Sequence, residues 1–208
     1  MGGSFAEFNF KATFQTGKFR AIVSDCRFHL HIWDPAVLPY SWHKAVPSLN
    51  RAYHLNDLDA ASGVGTVGAM VFVGCDVDSP YSLDEIAWVN EQARLDPRIA
   101  AFVAHAPVEQ GAGVLAHLEE LSEFGRVRGV RRLIQSESDR DFCARRQFIA
   151  GVRELVRFGW TFDICIRHFQ MESAIRLVVA CPRVQFALDH IRKPNRSCAV
   201  PASSAAHA

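Results

Sequence analysis

The sequence predicts an α/β fold, an incomplete (β/α)₈ TIM barrel with about six βα units. Six apolar runs of strand length alternate with stretches of helical periodicity, which is typical of a parallel sheet covered by helices. The first run has a polar face, and no Gly-x-Gly-x-x-Gly follows it. A doubly wound sheet would have an apolar central strand and that glycine pattern at this place. The barrel is therefore favoured.

Short sequence signals predict the individual elements. Strands are predicted at 21–31, 67–74, 99–105, 127–135, 161–167 and 184–190. Ser82-Leu83-Asp84-Glu85 has the form of a capping box that opens a helix ending near Leu95. Apolar residues at helical spacing predict further helices after Val114, after Phe148 and over 171–180.

The connection after the first predicted strand differs from the others. Residues 35–65 are rich in aromatic side chains and poorly periodic, and only 57–62 resemble a short helix. Long connections in compact domains commonly carry functional residues. We therefore expect this connection to lie beside a site at the end of the first strand.

The chain length fits one medium domain and is enough to bury a sizeable core. We expect residues 1–20 to form a leader outside the barrel, 21–195 the partial barrel, and 196–208, which are rich in Ala and Ser, an irregular and disordered tail. A full barrel takes about 250 residues, and strands seven and eight have no candidate sequence. The expected causes are a truncation or frameshift after Asn195, or a natural short form that pairs its edge strands in a homo-oligomer.

Composition excludes several classes of partner. The 23 basic and 22 acidic residues nearly cancel, so neither nucleic acid nor an anionic membrane surface is an expected partner. No apolar run has the length of a membrane span, and the first 20 residues lack the apolar core of a signal peptide. The six cysteines show no Cys-x-x-Cys spacing, which favours reduced thiols. A cytoplasmic protein acting on a small molecule is expected.

The first predicted strand carries two histidines on one face. His29 and His31 are two residues apart, and side chains at that spacing point the same way in a strand. An antiparallel strand with a solvated face would show the same alternation. Two converging imidazoles can hold a divalent metal such as zinc and activate a bound water. Without a metal they can polarise a carbonyl group by hydrogen bonding, and the two alternatives stay open.

Ionisable residues also mark the ends of later strands. The fourth predicted strand carries Arg131, the fifth carries Arg167, and the sixth ends at His190. Catalytic groups of a barrel come from the C-terminal ends of different strands, so these side chains and the first-strand histidines should meet at one rim. Guanidinium groups there suit a carboxylated substrate, whereas ordinary ion pairs are the alternative for the arginines.

Four blocks resemble one known family. They are residues 28–35, Gly129-Val130-Arg131 leading to Gln135, Phe162-Asp163-Ile164, and Leu188-Asp189-His190-Ile191 with Lys193-Pro194. In order and spacing they are similar to the amidohydrolase-related lactonases (amidohydrolase 2 type), which include sugar-lactone and pyrone-dicarboxylate lactone hydrolases. The resemblance covers roughly residues 20 to 195.

The resemblance implies a barrel that hydrolyses a sugar lactone or a carboxylated lactone by water attack. It implies catalytic roles and a metal site for His29, His31 and His190. It implies substrate contacts from Arg131, Arg167, Trp33 and Gln135. Metal use varies among such proteins, so the reaction is expected to use zinc or to be metal-independent.

The same resemblance points to impaired activity. Relatives carry an aspartate at the end of strand eight that serves as general base or metal ligand, and no residue here replaces it by position. Loss of such a base costs about 10²–10⁴-fold in rate. The alternative to an active hydrolase is therefore a catalytically inactive remnant or a protein that binds a metal or a small acid. A third reading is a decarboxylase of an aromatic or unsaturated acid.

Overall fold

The computed structural model describes residues 27–62 and 67–189. Its strands are β1 (Arg27–Leu30), β2 (Ala69–Val73), β3 (Ile99–His105), β4 (Val127–Leu133), β5 (Thr161–Cys165) and β6 (Gln185–Leu188). Its α-helices are α1 (Leu55–Ser62), α2 (Ser82–Leu95), α3 (Leu115–Ser122), α4 (Arg146–Glu154) and α5 (Met171–Ala180). Short 3₁₀ segments lie at Ser41–Ala45, Pro47–Leu49, Val108–Val114, Phe142–Ala144, Leu155–Arg157 and His168–Gln170.

All six strands are parallel and pair in chain order from β1 to β6. A doubly wound sheet would reverse its strand order at a switch point, and this sheet does not. The architecture is an α/β half-barrel, which confirms the predicted incomplete TIM barrel. The strands agree with their predicted ranges to within a few residues at each end, except that 21–26 and His190 lie outside the described residues, as do the predicted leader and tail.

The ionisable side chains of the strands that form the site lie on the inner face of the sheet. Alternate strand residues share a face, so the register places His29 beside Val71 and Arg131 beside Asp163 on the inner face. The opposite face packs against the helices, and its fully buried side chains, such as Phe72, Phe102 and Phe162, are apolar. The polar residues therefore reach one interior space without disturbing the helix-packed core.

Phenylalanines dominate the helix-packed core. Phe72 of β2 and Phe102 of β3 meet edge to face with ring centroids 6.4 Å apart. Phe148 of α4 meets Phe162 of β5 in the same way at 5.8 Å. All four rings are fully buried, and edge-to-face pairs add about 0.5–1.5 kcal/mol each to the gain from area burial.

Helix α2 has the predicted bounds but not the predicted cap. It begins at Ser82 and ends at Leu95, yet its N-cap residue is Tyr81 and no side chain caps it by a hydrogen bond. The prediction of a capping box is therefore wrong. The reason is that Glu85 turns inward, where its Oε1 accepts the backbone N–H of Cys75 at 3.0 Å.

The connection between β1 and α1 folds back over the end of β1. Trp33 and Tyr53 exchange two backbone hydrogen bonds of 3.1 and 2.9 Å. Between them, the indole Nε1 of Trp42 donates to the carbonyl oxygen of Cys75 at 2.8 Å. The short helix predicted at 57–62 is present as α1. This connection therefore forms a wall beside the strand ends, as expected from its length and composition.

The described cysteines are reduced, as predicted. Cys75, Cys143, Cys165 and Cys181 are buried and free. Cys26 and Cys198 lie outside the described residues, so the prediction is confirmed for these four only.

Gly151 of α4 lies against the backbone of Val108, and its replacement tests the packing of α4. A Cβ at this position would overlap the carbonyl oxygen of Val108 and lie 2.8 Å from the carbonyl carbon. We expect Gly151→Ala to lower the free energy of unfolding by about 2–3 kcal/mol, because backbone has to move. Chemical denaturation measures this change.

Gly125→Ala is the matched control, since nothing lies within 4 Å of the added Cβ. It should change stability by no more than about 0.5 kcal/mol. Equal stability of the two variants would contradict the described packing of α4 on Val108–Val114.

Candidate active site

The C-terminal ends of the parallel strands bring five ionisable side chains together. His29 and His31 come from the end of β1, Arg131 from β4, Asp163 from β5 and Asp189 from the residue after β6. Because parallel strands end at the same edge of a sheet, residues far apart in sequence converge there. This is the rim at which the sequence predicted a site.

The two histidines form a directed hydrogen-bonded pair. Nδ1 of His31 lies 2.7 Å from the carbonyl oxygen of Val73. That oxygen can only accept, so Nδ1 of His31 carries a proton, and in the neutral ring Nε2 is an acceptor. Nε2 of His29 lies 2.9 Å from Nε2 of His31. His29 therefore donates from Nε2 to Nε2 of a neutral His31.

Arg131 connects three strands at the centre of the rim. Its side chain is 6% exposed, and its Nη1 donates to Oδ2 of Asp189 at 3.0 Å. Its Nη2 donates to the carbonyl oxygen of Gly74, the residue after β2. The other carboxylate oxygen of Asp189 lies 3.8 Å from Nδ1 of His29. One buried cation therefore positions the carboxylate that faces the histidine pair.

The surroundings keep His31 uncharged. Burial, followed by the positive charge of Arg131 and the presence of His29, lowers the pKa of His31 from 6.5 to about 4. Desolvation disfavours the imidazolium, and a nearby guanidinium repels it. At neutral pH, His31 is therefore a fixed neutral imidazole whose Nε2 can accept a proton or a hydrogen bond.

Asp163 is the second carboxyl group of the rim. It is 6% exposed, and burial together with the negative charge of Asp189 raises its pKa to about 7. A hydrogen bond of 3.3 Å from the hydroxyl group of Thr161 and the charge of Arg131 act in the opposite direction. Two neighbouring carboxyl groups with different environments are a common arrangement for acid and base roles.

A cavity of about 350 Å³ opens above these groups. Its described lining is His31, Trp33, Trp42, Leu49, Cys75, Asp76, Arg131, Leu133, Gln135 and Cys165. The volume is within the range of small-molecule sites, and a mostly apolar lining with a few polar groups is typical of them.

The structure brings most of the predicted site residues together. His29, His31 and Arg131 meet at the rim, and Trp33 and Gln135 line the cavity. Arg167 is exposed and is not among the described residues that line the cavity. It follows the end of β5, and its backbone N–H donates to Oε1 of Gln170 as the chain turns into a 3₁₀ segment.

His190 lies outside the described residues. The roles predicted for it and for the other site residues stay predictions.

Several site features were missed at the level of sequence. Trp42 and Asp76 line the cavity without belonging to any recognised motif. Glu85 supports the cavity from below: it is fully buried, and Tyr40 donates to its Oε1 at 3.3 Å. A carboxylate in the middle of an apolar helix face was the signal available for Glu85, but its spacing from Ser82 also fitted a capping box.

A family model described as Amidohydrolase (Amidohydro_2) matches residues 25–208, which is most of the chain. The chain belongs to the Amidohydro_2 family of amidohydrolases. The resemblance to the amidohydrolase 2 type is therefore confirmed at the level of the family.

Among curated proteins, this amidohydrolase is similar to y4mH of Sinorhizobium fredii, which is itself described as uncharacterized. The two are 23% identical over 180 residues, covering 78% of this chain and 60% of y4mH. The amidohydrolase chain described here thus spans about three fifths of the length of that relative.

Solved structures show the same fold. An amidohydrolase from Burkholderia multivorans matches with TM-score 0.63 and 24% identity in a crystal with bound HEPES, covering 80% of this chain and 56% of that one. A second crystal of that protein, with bound zinc, gives TM-score 0.62 over 79% of this chain. A probable 2-pyrone-4,6-dicarboxylic acid hydrolase from Acinetobacter baumannii with bound citric acid gives TM-score 0.56 at 10% identity, covering 78% and 56% of the two chains.

The histidine pair of this amidohydrolase meets part of what a metal site needs. The two Nε2 atoms lie 2.9 Å apart, Nδ1 of His31 donates to the carbonyl oxygen of Val73, and Nδ1 of His29 lies 3.8 Å from the carboxylate of Asp189. Acceptors at Nδ1 are what orient metal-binding imidazoles. Within residues 27–62 and 67–189, no three His, Cys, Asp or Glu side chains are grouped to hold an ion. The described donors therefore supply two ligands of a metal site.

Over the described ranges, no helix of this amidohydrolase is both long enough and apolar enough to cross a bilayer.

The buried carboxyl group of Glu85 makes the stability of this amidohydrolase depend on pH. Burial raises its pKa from 4.5 to about 7, so the folded state holds the proton more tightly than the unfolded chain. The contribution is complete below pH 4.5 and is lost as the pH rises through 7. The difference corresponds to at most about 3 kcal/mol. We expect Glu85→Gln to reduce the fall in unfolding free energy between pH 5 and pH 8, measured by guanidinium denaturation.

Glu91→Gln is the control for this measurement, because it removes an exposed carboxylate from the same helix. It should keep the pH dependence of the unaltered chain. If Glu85→Gln keeps it as well, Glu85 does not carry the buried proton.

Proposed function

We propose that this chain hydrolyses a lactone by attack of water on the ring carbonyl. The observation that carries the proposal is the directed histidine pair, in which His31 lines the cavity and has an acceptor Nε2, and His29 beside it has a donor Nε2–H. Family membership supports a hydrolase. A structural neighbour described as a probable 2-pyrone-4,6-dicarboxylic acid hydrolase supports a lactone as the bond type.

In the reaction, the water oxygen bonds to the carbonyl carbon while Asp163 takes up a water proton, and the same proton passes to the ring oxygen as the ring C–O bond breaks, giving a hydroxy acid. The hydrogen bond between the two histidines can break, so that the Nε2–H of His29 donates to the carbonyl oxygen of the lactone instead. Nε2 of His31 is then able to accept a hydrogen bond from the water. The two nitrogens are 2.9 Å apart, so one small change in hydrogen bonding activates both reactants.

Arg131 and Asp163 complete the proposed set. The guanidinium group stabilises negative charge that develops on the carbonyl oxygen, and its two described hydrogen bonds fix its orientation before substrate enters. Asp163 lies next to Arg131 in the sheet register, and its pKa of about 7 suits a group that takes up the water proton near neutral pH.

A divalent metal is the alternative to this hydrogen-bonded route, because a metal held by the two Nε2 atoms would replace their hydrogen bonds to the water and the carbonyl oxygen. His29 and His31 would hold it, with His190 as the third ligand predicted from the sequence. A bound metal would act as a Lewis acid and lower the pKa of a bound water. The zinc-bound neighbour from Burkholderia multivorans supports metal use in this fold. The carbonyl oxygen of Val73, which orients the His31 ring through Nδ1, supports it in this chain.

We further propose a small-molecule substrate and a cytoplasmic location. The cavity volume supports the substrate size. The four buried reduced cysteines support a reducing compartment. A homo-oligomer joined at the β1 and β6 edges stays a prediction from the sequence.

The test is lactone hydrolysis by the purified chain, followed by acid release at constant pH, with zinc added and after treatment with a chelator. We expect turnover above the uncatalysed rate. We expect His31→Ala to lower kcat/KM by about 10²–10⁴-fold, because the acceptor for the water is lost. If chelation removes the activity and zinc restores it, the metal alternative is supported.

His168→Ala is the matched control, since His168 is an exposed histidine outside the described cavity lining. It should retain the rate of the unaltered chain. Equal rates for the unaltered chain and His31→Ala would contradict the proposal. Binding of a lactone without turnover would favour the alternative of a small-acid or metal-binding protein.

A further inference from the structure

Asp76 is a cavity residue that the proposed mechanism does not use. It lies three residues beyond the end of β2, lines the cavity and is solvent-accessible. Its φ is 58°, and it is the one non-glycine residue with positive φ in the described part of the chain. Side chains with a Cβ adopt this left-handed region at an energetic cost, although aspartate tolerates it better than most.

Buried contacts hold the backbone at this place. The N–H of Cys75 donates to Oε1 of Glu85 at 3.0 Å, and the carbonyl oxygen of Cys75 accepts from Nε1 of Trp42 at 2.8 Å. Both polar backbone groups of the preceding residue are therefore fixed. Strained backbone persists where the surrounding structure over-determines it, and such places are concentrated at functional sites. The backbone that carries Asp76 at the cavity is accordingly held by the fold.

The charge of Asp76 is not neutralised by a direct ion pair. Arg131 is paired with the buried carboxylate described above, and Arg132 is paired with Glu109 at 2.9 Å and Glu137 at 2.7 Å. Over residues 27–62 and 67–189, Asp76 takes part in no ion pair shorter than 4 Å. Its carboxylate oxygens are therefore available to a molecule in the cavity.

Two tryptophans face the same space. The indole N–H of Trp33 donates to the carbonyl oxygen of Leu49 at 3.3 Å, and that of Trp42 donates to Cys75. With their N–H groups engaged, the rings offer the cavity only carbon surface. The negative face of an aromatic ring attracts C–H groups. A ring face beside an unpaired carboxylate suits an uncharged ligand that has both C–H surface and hydroxyl groups.

We propose that Asp76 is a specificity-determining residue that selects an uncharged polyhydroxy lactone over a lactone bearing a carboxylate. Its oxygens accept hydrogen bonds from substrate hydroxyl groups, and its negative charge repels a second carboxylate in the cavity. This inference rests on lactone hydrolysis as the proposed function. It chooses between the two substrate classes that the sequence left open.

The test uses two lactones with the same ring. D-galactono-1,4-lactone carries a hydroxymethyl group where D-galactaro-1,4-lactone carries a carboxylate. We expect kcat/KM of the unaltered chain to be about 10-fold or more higher for the uncharged lactone. Asp76→Asn keeps the size of the side chain and tolerates left-handed backbone. It should lower kcat/KM for the uncharged lactone, raise it for the charged lactone, and reduce their ratio by about 10-fold.

Glu91→Gln is the control, because it removes the same charge from an exposed position of α2. It should leave the ratio unchanged. An unchanged ratio in Asp76→Asn, or a preference of the unaltered chain for the charged lactone, would overturn the inference.

A binding measurement separates this inference from the proposed function. If neither lactone is hydrolysed faster than by His31→Ala, the proposed function fails. Calorimetry with the unreactive pair galactitol and galactarate, which share a carbon chain, then measures the selectivity of binding. Tighter binding of galactitol, with a smaller difference in Asp76→Asn, would support the role of Asp76. The same difference in both proteins would refute it.

Discussion

The buried guanidinium group of Arg131 is the constraint on which the site depends. It reaches from β4 to the carbonyl oxygen of Gly74 and to the carboxylate of Asp189, so it joins three of the six strands where no backbone ladder connects them. A buried cation is costly unless its donors are satisfied. Movement of the strand ends would separate Arg131 from Asp189 and leave a buried charge without a partner, so the ion pair fixes their arrangement. The same charge helps to keep His31 neutral.

The loops after β1 and β2 turn this arrangement into a cavity. Trp42 from the first loop and Glu85 from α2 bind the two backbone groups of Cys75. The clamp sets the position of Asp76 at the cavity and orients the Trp42 ring. In the proposed function, the strand ends supply the catalytic side chains and the clamped loops supply the residue that selects the substrate.

The sequence predicts the elements that depend on local periodicity. The alternation of strand-like and helical segments predicts a parallel sheet, and the two-residue period of a strand predicts that His29 and His31 share a face. The position of Arg131 in its predicted strand indicates that it belongs to the site at the strand ends. The pairing of Arg131 with Asp189 joins residues 58 positions apart, and no local pattern encodes it. Glu85 shows the limit most clearly. Its spacing fits a helix cap, but the buried N–H of Cys75, two residues after β2, competes for the carboxylate, and only the fold brings the two together.

The central claim is that the fold fixes His31 as a neutral imidazole with Nε2 free to accept. A long-range ¹H–¹⁵N NMR spectrum of the imidazoles, recorded near pH 6 on chelator-treated protein, tests it most directly. The account predicts a neutral His31 ring with its proton on Nδ1, because Val73 takes that proton and the pKa is about 4. A proton on Nε2, or a ring that titrates near the ordinary value of 6.5, would contradict it.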